Sequence, residues 1–382
     1  MTQLLQQHFI NTFKTEPVLY RSPGRINIIG EHTDYNGGFV LPAAIQQAAH
    51  IAISKRNDNA LHLMAMDLNE SIVLQLNDLQ PIPHSWSNYI AGVVDQLLQQ
   101  GKTLGGFNLI LNSNIPIGAG LSSSAAIECV VAYALNDLFN CNLTSLALAQ
   151  LSQQAEHHFA GVKCGLMDQF ASMMSKKDQL IKLDCYSLQY EYIPFNIQNY
   201  SLVLFNSCVN HSLASSAYNE RRQQCEQAVE WVSQSIPNIH SLRQVNEEML
   251  NNIVLPKDSL VHKRSTYVVN EIQRVEAACN ALQQGNISAL GKLMFKTHEG
   301  LSIDYEVSCK ELDVLVDAVK NIPEVIGARM MGGGFGGCTL NLIESSAVNK
   351  TIETVEKIYQ QQFNSNLPHY IVETANGSSK IN

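Results

Sequence analysis

The chain has 382 residues, of which 45% are hydrophobic and 15% charged, and its formal net charge is -9. That length exceeds the roughly 250 to 300 residues at which a single core stops growing, so two domains are expected, and the apolar share excludes wholesale disorder. A net negative chain offers no general basic field to a phosphate backbone, which sets nucleic acid aside as a partner.

The opening MTQLLQQHFINTFK spaces Leu4, Leu5, Phe9 and Phe13 at helical intervals and predicts a short amphipathic helix packed on the body. It lacks the unbroken apolar run of a signal peptide. No stretch of about 18 apolar residues follows, so no membrane span is expected. Nine scattered cysteines without a C-x-x-C pair read as free thiols in a reducing compartment. A cytoplasmic chain without an obligate protein partner is the resulting expectation.

Short runs of branched and aromatic residues predict strands at 18–21, 26–29, 71–76, 107–112 and 180–185, alternating with helices at 88–100, 124–139 and 144–159. Between the first strands and the rest lies GRINIIGEHTDYNGGFVL, residues 24–41, where Arg25, Glu31, His32 and Asp34 crowd beside a glycine pair. Such a cluster is either a polar surface turn, for which Asp34, Asn36 and Gly37 are suited, or a site.

NIPIGAGLSSSAAIECVVAYAL, residues 114–135, follows a predicted strand and opens a helix so apolar that it must be buried. Gly118 and Gly120 can take positive φ, and Ser122 to Ser124 supply an N-cap and hydroxyls. The amides of the first helical turn then form a ready phosphate site, or else the run is an ordinary glycine turn and serine cap that begins a helix. No G-K-[ST] follows, so this is not a Walker A loop.

EHHFAGVKCGLMDQF, residues 156–170, presents Glu156 and Asp168 as a metal ligand and a base, or else as a helix-end charge and a loop cap. Adjacent His157 and His158 point to different sides of a helix, so a zinc site is not expected and surface histidines are. Further on, helices are predicted at 215–232, 259–284, 287–299 and 308–320, the last opened by a Ser308/Glu311 capping box. MMGGGFGGCTL, residues 330–340, packs five glycines into six positions and reads as close backbone approach to a ligand or another segment, or else as a flexible hairpin tip. Strands at 338–343 and 369–372 follow, and the closing ANGSSKIN reads as frayed. The whole is an α+β architecture of two sheet-and-helix domains, 1–195 and 196–382.

Taken in order, G-R-I-N-I-I-G-E-H-T-D-Y, P-I-G-A-G-L-S-S-S-A-A, C-G-L-M-D-Q and G-G-G-F-G-G-C closely resemble the galactokinase family. That family lies within the small-molecule kinase superfamily that also contains homoserine and mevalonate kinases. The glycine-serine run resembles the superfamily; the EHTDY segment narrows the resemblance to the sugar kinases.

The resemblance implies a two-domain fold with the active site in the inter-domain cleft, ATP as phosphoryl donor and the C1 hydroxyl of α-D-galactose as acceptor. It implies Arg25 and Asp168 as the catalytic pair. Glu31, His32, Thr33, Asp34, Gly165, Asp168 and Tyr218 would bind the sugar. Gly118, Ala119, Gly120, Leu121, Ser122, Ser123 and Ser124 would wrap the ATP phosphates, with Ser124 and Glu156 as Mg²⁺ ligands. One departure is Met331, which stands where the family usually places threonine. On this reading the charged cluster holds a polyol, whose buried hydroxyls must each recover a hydrogen bond.

Overall fold

The computed structural model describes residues 2–116, 118–209 and 214–381. Its largest sheet has six strands in the order Ser379–Ile381, Val18–Asn27, Pro42–Lys55, Phe107–Ser113, Ala60–Ala65 and Glu70–Gln75. Neighbours run antiparallel except Ala60–Ala65, which lies parallel to Phe107–Ser113. A four-stranded sheet, Val325–Met330, Cys338–Glu344, Tyr200–Asn206 and His369–Val372, carries the second half of the chain. A small third sheet of Phe39–Val40, Gln179–Asp184 and Tyr190–Pro194 lies near the junction.

The predicted strands at 18–21 and 26–29 are one continuous strand, broken in register between Pro23 and Arg25. At that bulge a side chain on Gly24 would come within 2.7 Å of the Leu121 carbonyl, and the Arg25 amide donates to the same carbonyl at 3.1 Å. A bulge re-aims the side chain beside it. Here it turns Arg25 toward the glycine-serine loop.

Pro42–Lys55, which reads PAAIQQAAHIAISK, is a strand that the sequence does not announce, because alanine and glutamine favour helices. Its burial between Val18–Asn27 and Phe107–Ser113 overrides that preference. The short strands Ala60–Ala65, Tyr190–Pro194, Tyr200–Asn206 and Val325–Met330 were likewise not predicted.

The N-terminal helix, Thr2–Phe13, buries Leu5 and Phe9 against Ala52 and Ile110 on one sheet face, while Leu4 stays exposed. Helix Ser123–Leu138 packs on the central strands with Cys129, Val130, Val131 and Leu135 fully buried, as its apolar run demands. Helix Ser145–Ala155 does not run on regularly to 159. It widens into a π-helical turn, Glu156–Ala160, a local irregularity that recurs at functional sites.

Two expectations at the far end fail. The Ser308/Glu311 capping box does not form: helix Lys310–Lys320 has Cys309 at its N-cap, and the Ser308 hydroxyl donates to Asp313 Oδ1 at 2.6 Å instead. The closing segment is not frayed, because Ser379–Ile381 adds an edge strand to Val18–Asn27. It is anchored there by the Ser378 hydroxyl, 2.6 Å from Ser22, and by Lys380, whose Nζ donates to Asp137 at 2.9 Å. Backbone ladder bonds hold a polar strand as well as an apolar one.

Candidate active site

A cavity of about 250 Å³ opens where the two halves meet, lined by Arg25, Glu31, His32, Asp34, Glu156, Gly165, Asp168, Tyr218 and the loop Gly332 to Phe335. Residues from four separate stretches of sequence therefore share one wall. Each arrives by an identifiable local device.

Arg25, brought in by the strand bulge, grips Asp168 with two donors, Nε to Oδ1 at 2.7 Å and one terminal nitrogen to Oδ2 at 3.0 Å. Its other terminal nitrogen donates to the Gly120 carbonyl at 2.6 Å. The Ser122 hydroxyl donates to Asp168 Oδ2 at 2.5 Å. An ionised carboxylate has about four lone-pair sites, and three are engaged. One remains for a ligand hydroxyl.

Ser122 stands at the N-cap position of helix Ser123–Leu138 but makes no capping bond. The expected N-cap is absent because that hydroxyl is committed to Asp168. Gly118, Gly120 and Ser122 all have positive φ, so the loop curls, and the first amides of the helix are left without a side-chain cap. An uncapped helix start at a left-handed loop is an anion site in waiting. Ile117 lies outside the described residues; Ala119 and Leu121 are buried beneath the loop.

Asp34 begins a single 3-10 turn, Asp34–Asn36, closed by left-handed Gly37. Burial, reinforced by neighbouring Asp168, pushes its pKa up to about 7. Gly165 lies hard against it, since any β-carbon there would collide with the Asp34 carboxyl. Thr33 faces away from the cavity, its hydroxyl bonded to the Gly30 and Phe39 carbonyls at 2.9 and 2.6 Å. It braces the turn, and is not among the residues that line the cavity.

Glu31 is also held from behind. Its Oε1 accepts from fully buried Arg329 and from the Gly332 amide, both at 2.9 Å. Arg329 further donates to the Ile28 and Asn27 carbonyls, so the E-H-T-D-Y segment and the third glycine motif are sewn together. Neither Arg329 nor its partner role was visible in the sequence. The glycine run does make close approaches, with Gly334 against Val307 and Gly336 against Val209. Met331 turns its side chain into the core and its amide to the Cys338 carbonyl at 3.0 Å.

Glu156 is 8% exposed, and burial raises its pKa while a hydrogen bond with Ser124 opposes the rise. Gln169 Nε2 donates to its Oε2 at 2.7 Å. His157 bonds the Cys164 carbonyl at 2.9 Å and His158 is exposed. Among the described residues no group of three or more His, Cys, Asp or Glu side chains is placed to hold a metal. One hydroxyl and one carboxylate side by side suit Mg²⁺, which keeps most of its shell as water and phosphate.

A second cavity, about 530 Å³, adjoins the start of the same helix, with Trp86, Tyr89, Ile115, Ser123 and Ile127 among its lining. It went unnoticed in the sequence, where S-W-S-N-Y reads as an ordinary helix entry. The adjacency to Ser123 is the signal that only the fold supplies.

A family model for the galactokinase galactose-binding signature matches residues 7–55, and models of the GHMP kinase N-terminal and C-terminal domains match 88–176 and 278–361. A galactokinase of Clostridium acetobutylicum is 39% identical over 99% of both chains, and one of Thermotoga petrophila 38% identical over 94% of this chain and 99% of its own. The chain belongs to the galactokinase family. A crystal structure of Lactococcus lactis galactokinase complexed with galactose superposes with a TM-score of 0.95 at 35% identity, covering 100% of each chain. Methanococcus jannaschii mevalonate kinase, at 20% identity and a TM-score of 0.68, shares the fold. Against the galactokinase expectation, the structure brings Arg25, Glu31, His32, Asp34, Gly165, Asp168 and Tyr218 around one cavity, and sets Ser124 beside Glu156 at its edge.

Proposed function

We propose that this kinase transfers the terminal phosphoryl group of ATP to the C1 hydroxyl of α-D-galactose, giving α-D-galactose 1-phosphate and ADP, the first committed step of galactose catabolism. The observation that carries this is the Arg25–Asp168 pair: it lies in the wall of the polar cavity and is tied through Gly120 to the phosphate loop. Acceptor and donor ends thereby meet at one carboxylate.

Phosphoryl transfer asks a protein mainly for alignment and charge stabilisation. Asp168 receives the C1 proton at its last open lone pair, held by Arg25 and Ser122. Arg25, at 4% exposure, steadies charge where little water competes. The first-turn amides of Ser123 and Ser124 face the phosphates. Ser124 and Glu156 would hold Mg²⁺, which supplies neutralisation of phosphate charge. The Trp86 and Tyr89 cavity takes the nucleoside. Asp34, Glu31, His32 and Tyr218 bind the sugar hydroxyls, so that inverting one hydroxyl, as in glucose, leaves a buried group unpaired, a mismatch that can cost about 10⁴-fold.

The division at 195/196, with the cavity in the cleft, belongs to the same reading, except that the closing strand Ser379–Ile381 returns to the sheet of the first half. So does a cytoplasmic setting, supported by nine free cysteines and by the absence, among the described residues, of a helix long and apolar enough to cross a membrane. The test is ADP release with Mg-ATP over galactose, glucose, N-acetylgalactosamine, mevalonate and homoserine. Turnover confined to galactose is expected; equal rates with glucose, or sugar binding without any ADP release, would overturn the assignment.

A further inference from the structure

Behind the cavity, the two halves of the chain share a run of hydrogen bonds that ends on His32. Its Nδ1 lies 2.7 Å from the Tyr35 hydroxyl, which lies 2.9 Å from that of Tyr305, which lies 3.3 Å from Cys225 Sγ. Each hydroxyl and the thiol carries one proton. The three bonds therefore run all in one direction or all in the other.

Running inward, Nδ1–H donates to Tyr35 and the last phenol donates to sulfur. Running outward, the thiol donates to Tyr305, Tyr305 to Tyr35, and Tyr35 to a bare Nδ1. Both directions contain one weak sulfur bond, so the imidazole end decides. A neutral imidazole nitrogen is a far more basic acceptor than a phenol oxygen, and phenol is the more acidic donor. Outward is the stronger arrangement.

The remaining nitrogen points the same way. His32 is 4% exposed, its ring lines the sugar cavity, and its Nε2 makes no well-formed hydrogen bond among the described residues. Burial drives the pKa of this ring down to about 4 and so keeps it neutral, while Glu31 and the Gly333 main chain draw a proton toward it and Arg221 opposes them. An N–H at Nε2 is attracted by such acceptors; a lone pair there would be repelled. Tyr305, Tyr218 and Tyr35 surround the ring at centroid distances of 4.8, 5.4 and 5.8 Å, and the Nδ1 contact with Tyr35 sets its orientation. Its backbone is fixed too, at φ 64, with the carbonyl accepting from Asn36 Nδ2 at 2.8 Å. Non-glycine residues persist in that conformation only where their surroundings enforce it.

We propose that Tyr35 and Tyr305 are positioning residues that lock His32 as the Nε2–H tautomer, so that it presents the sugar with a donor beside the acceptor Asp34. The inference rests on the galactose reading. It deepens that reading: a sugar hydroxyl whose own proton goes to a carboxylate must accept from elsewhere, and His32 is built to supply that bond.

Imidazole ¹⁵N NMR on histidine-labelled protein tests it, with the His32 signal assigned by its loss in His32→Gln. The expected spectrum has Nε2 protonated and Nδ1 bare. Tyr35→Phe should mix the two tautomers and raise the galactose KM roughly tenfold, the worth of one neutral hydrogen bond, while kcat and the ATP KM stay within about twofold. Tyr305→Phe, which leaves the Tyr35 hydroxyl in place but removes its donor, should shift both readouts in the same sense and less, and it serves where Tyr35→Phe folds poorly. Protonated Nδ1 in the unaltered protein, an unchanged tautomer in both variants, or a loss confined to kcat overturns the proposal. The spectrum needs no turnover, so a chain that phosphorylated no sugar would defeat the galactose reading and leave this measurement intact.

Discussion

On the proposed reading, the sugar end and the phosphate end of the site are built on opposite plans. At the sugar end the polar groups are tied down before a ligand arrives: Glu31 by Arg329 and Gly332, Thr33 by two carbonyls, His32 by Tyr35. At the phosphate end the loop withholds its bonds. Ser122 makes no capping bond to its helix, and left-handed Gly118 and Gly120 curl the chain ahead of it, leaving the first helical amides without a side-chain cap. A sugar differs from its epimer by the direction of one hydroxyl, so recognition needs rigid partners. A phosphate is nearly isotropic, and needs only unspent donors.

Asp168 is where the plans meet, and its replacement should have the largest effect. Asp168→Asn is expected to lower kcat on the order of 10³-fold while calorimetry still finds galactose bound; near-normal turnover would break the comparison at its centre. Next, Gly165→Ala should push the Asp34 carboxyl aside and raise the galactose KM roughly 10²-fold, as a displacement of about an ångström does in oriented sites. Steady-state kinetics showing an altered ATP KM instead would mean that the rigid end does not stop at the sugar. Ser124→Ala probes the looser plan: nucleotide affinity in the presence of Mg²⁺ should weaken by about tenfold, with galactose affinity unchanged by the same titration.

The smallest effect concerns stability. The folded-state pKa of Asp34 lies near 7, above the unfolded value. The folded protein thus holds a proton that the unfolded chain releases, and stability is lost as pH rises from the ordinary carboxylate range through about 7. Asp34→Asn removes that loss. Its melting temperature should exceed that of the unaltered protein by a few degrees at pH 8, and the gap should close near pH 4. Galactose affinity of the unaltered protein should tighten over the same rise, because sugar hydroxyls donate to the ionised form. A rigid recognition site costs stability, and a calorimetric scan with pH measures how much.

What could be read ahead of the structure followed the same divide. The helices at 259–284 and 287–299 were legible because periodic apolar positions are local; the cap on the first, Asp258, which accepts from the Leu260 and Val261 amides at 2.7 and 3.0 Å, emerges from the structure. The cavity residues were legible as short motifs. Their supports were not: Arg329 lies almost three hundred positions from Glu31, and nothing near either announces the pair. Nor could the capping rules foresee that Ser122 would serve Asp168, since a cap is a local preference and that bond spans the site. The alanine-rich strand Pro42–Lys55 was hidden for the converse reason, its local preference being overruled by neighbours on both edges.

One side chain joins the two plans mechanically. Because the same guanidinium grasps Asp168 and the Gly120 carbonyl, the span between that carboxylate and the glycine-serine turn is set by the length and planarity of Arg25, as a strut fixes the gap between two beams. A displacement of the turn is thereby passed to Asp168 through one side chain. A lysine of like charge would have a single tip, and could brace only one of the two beams.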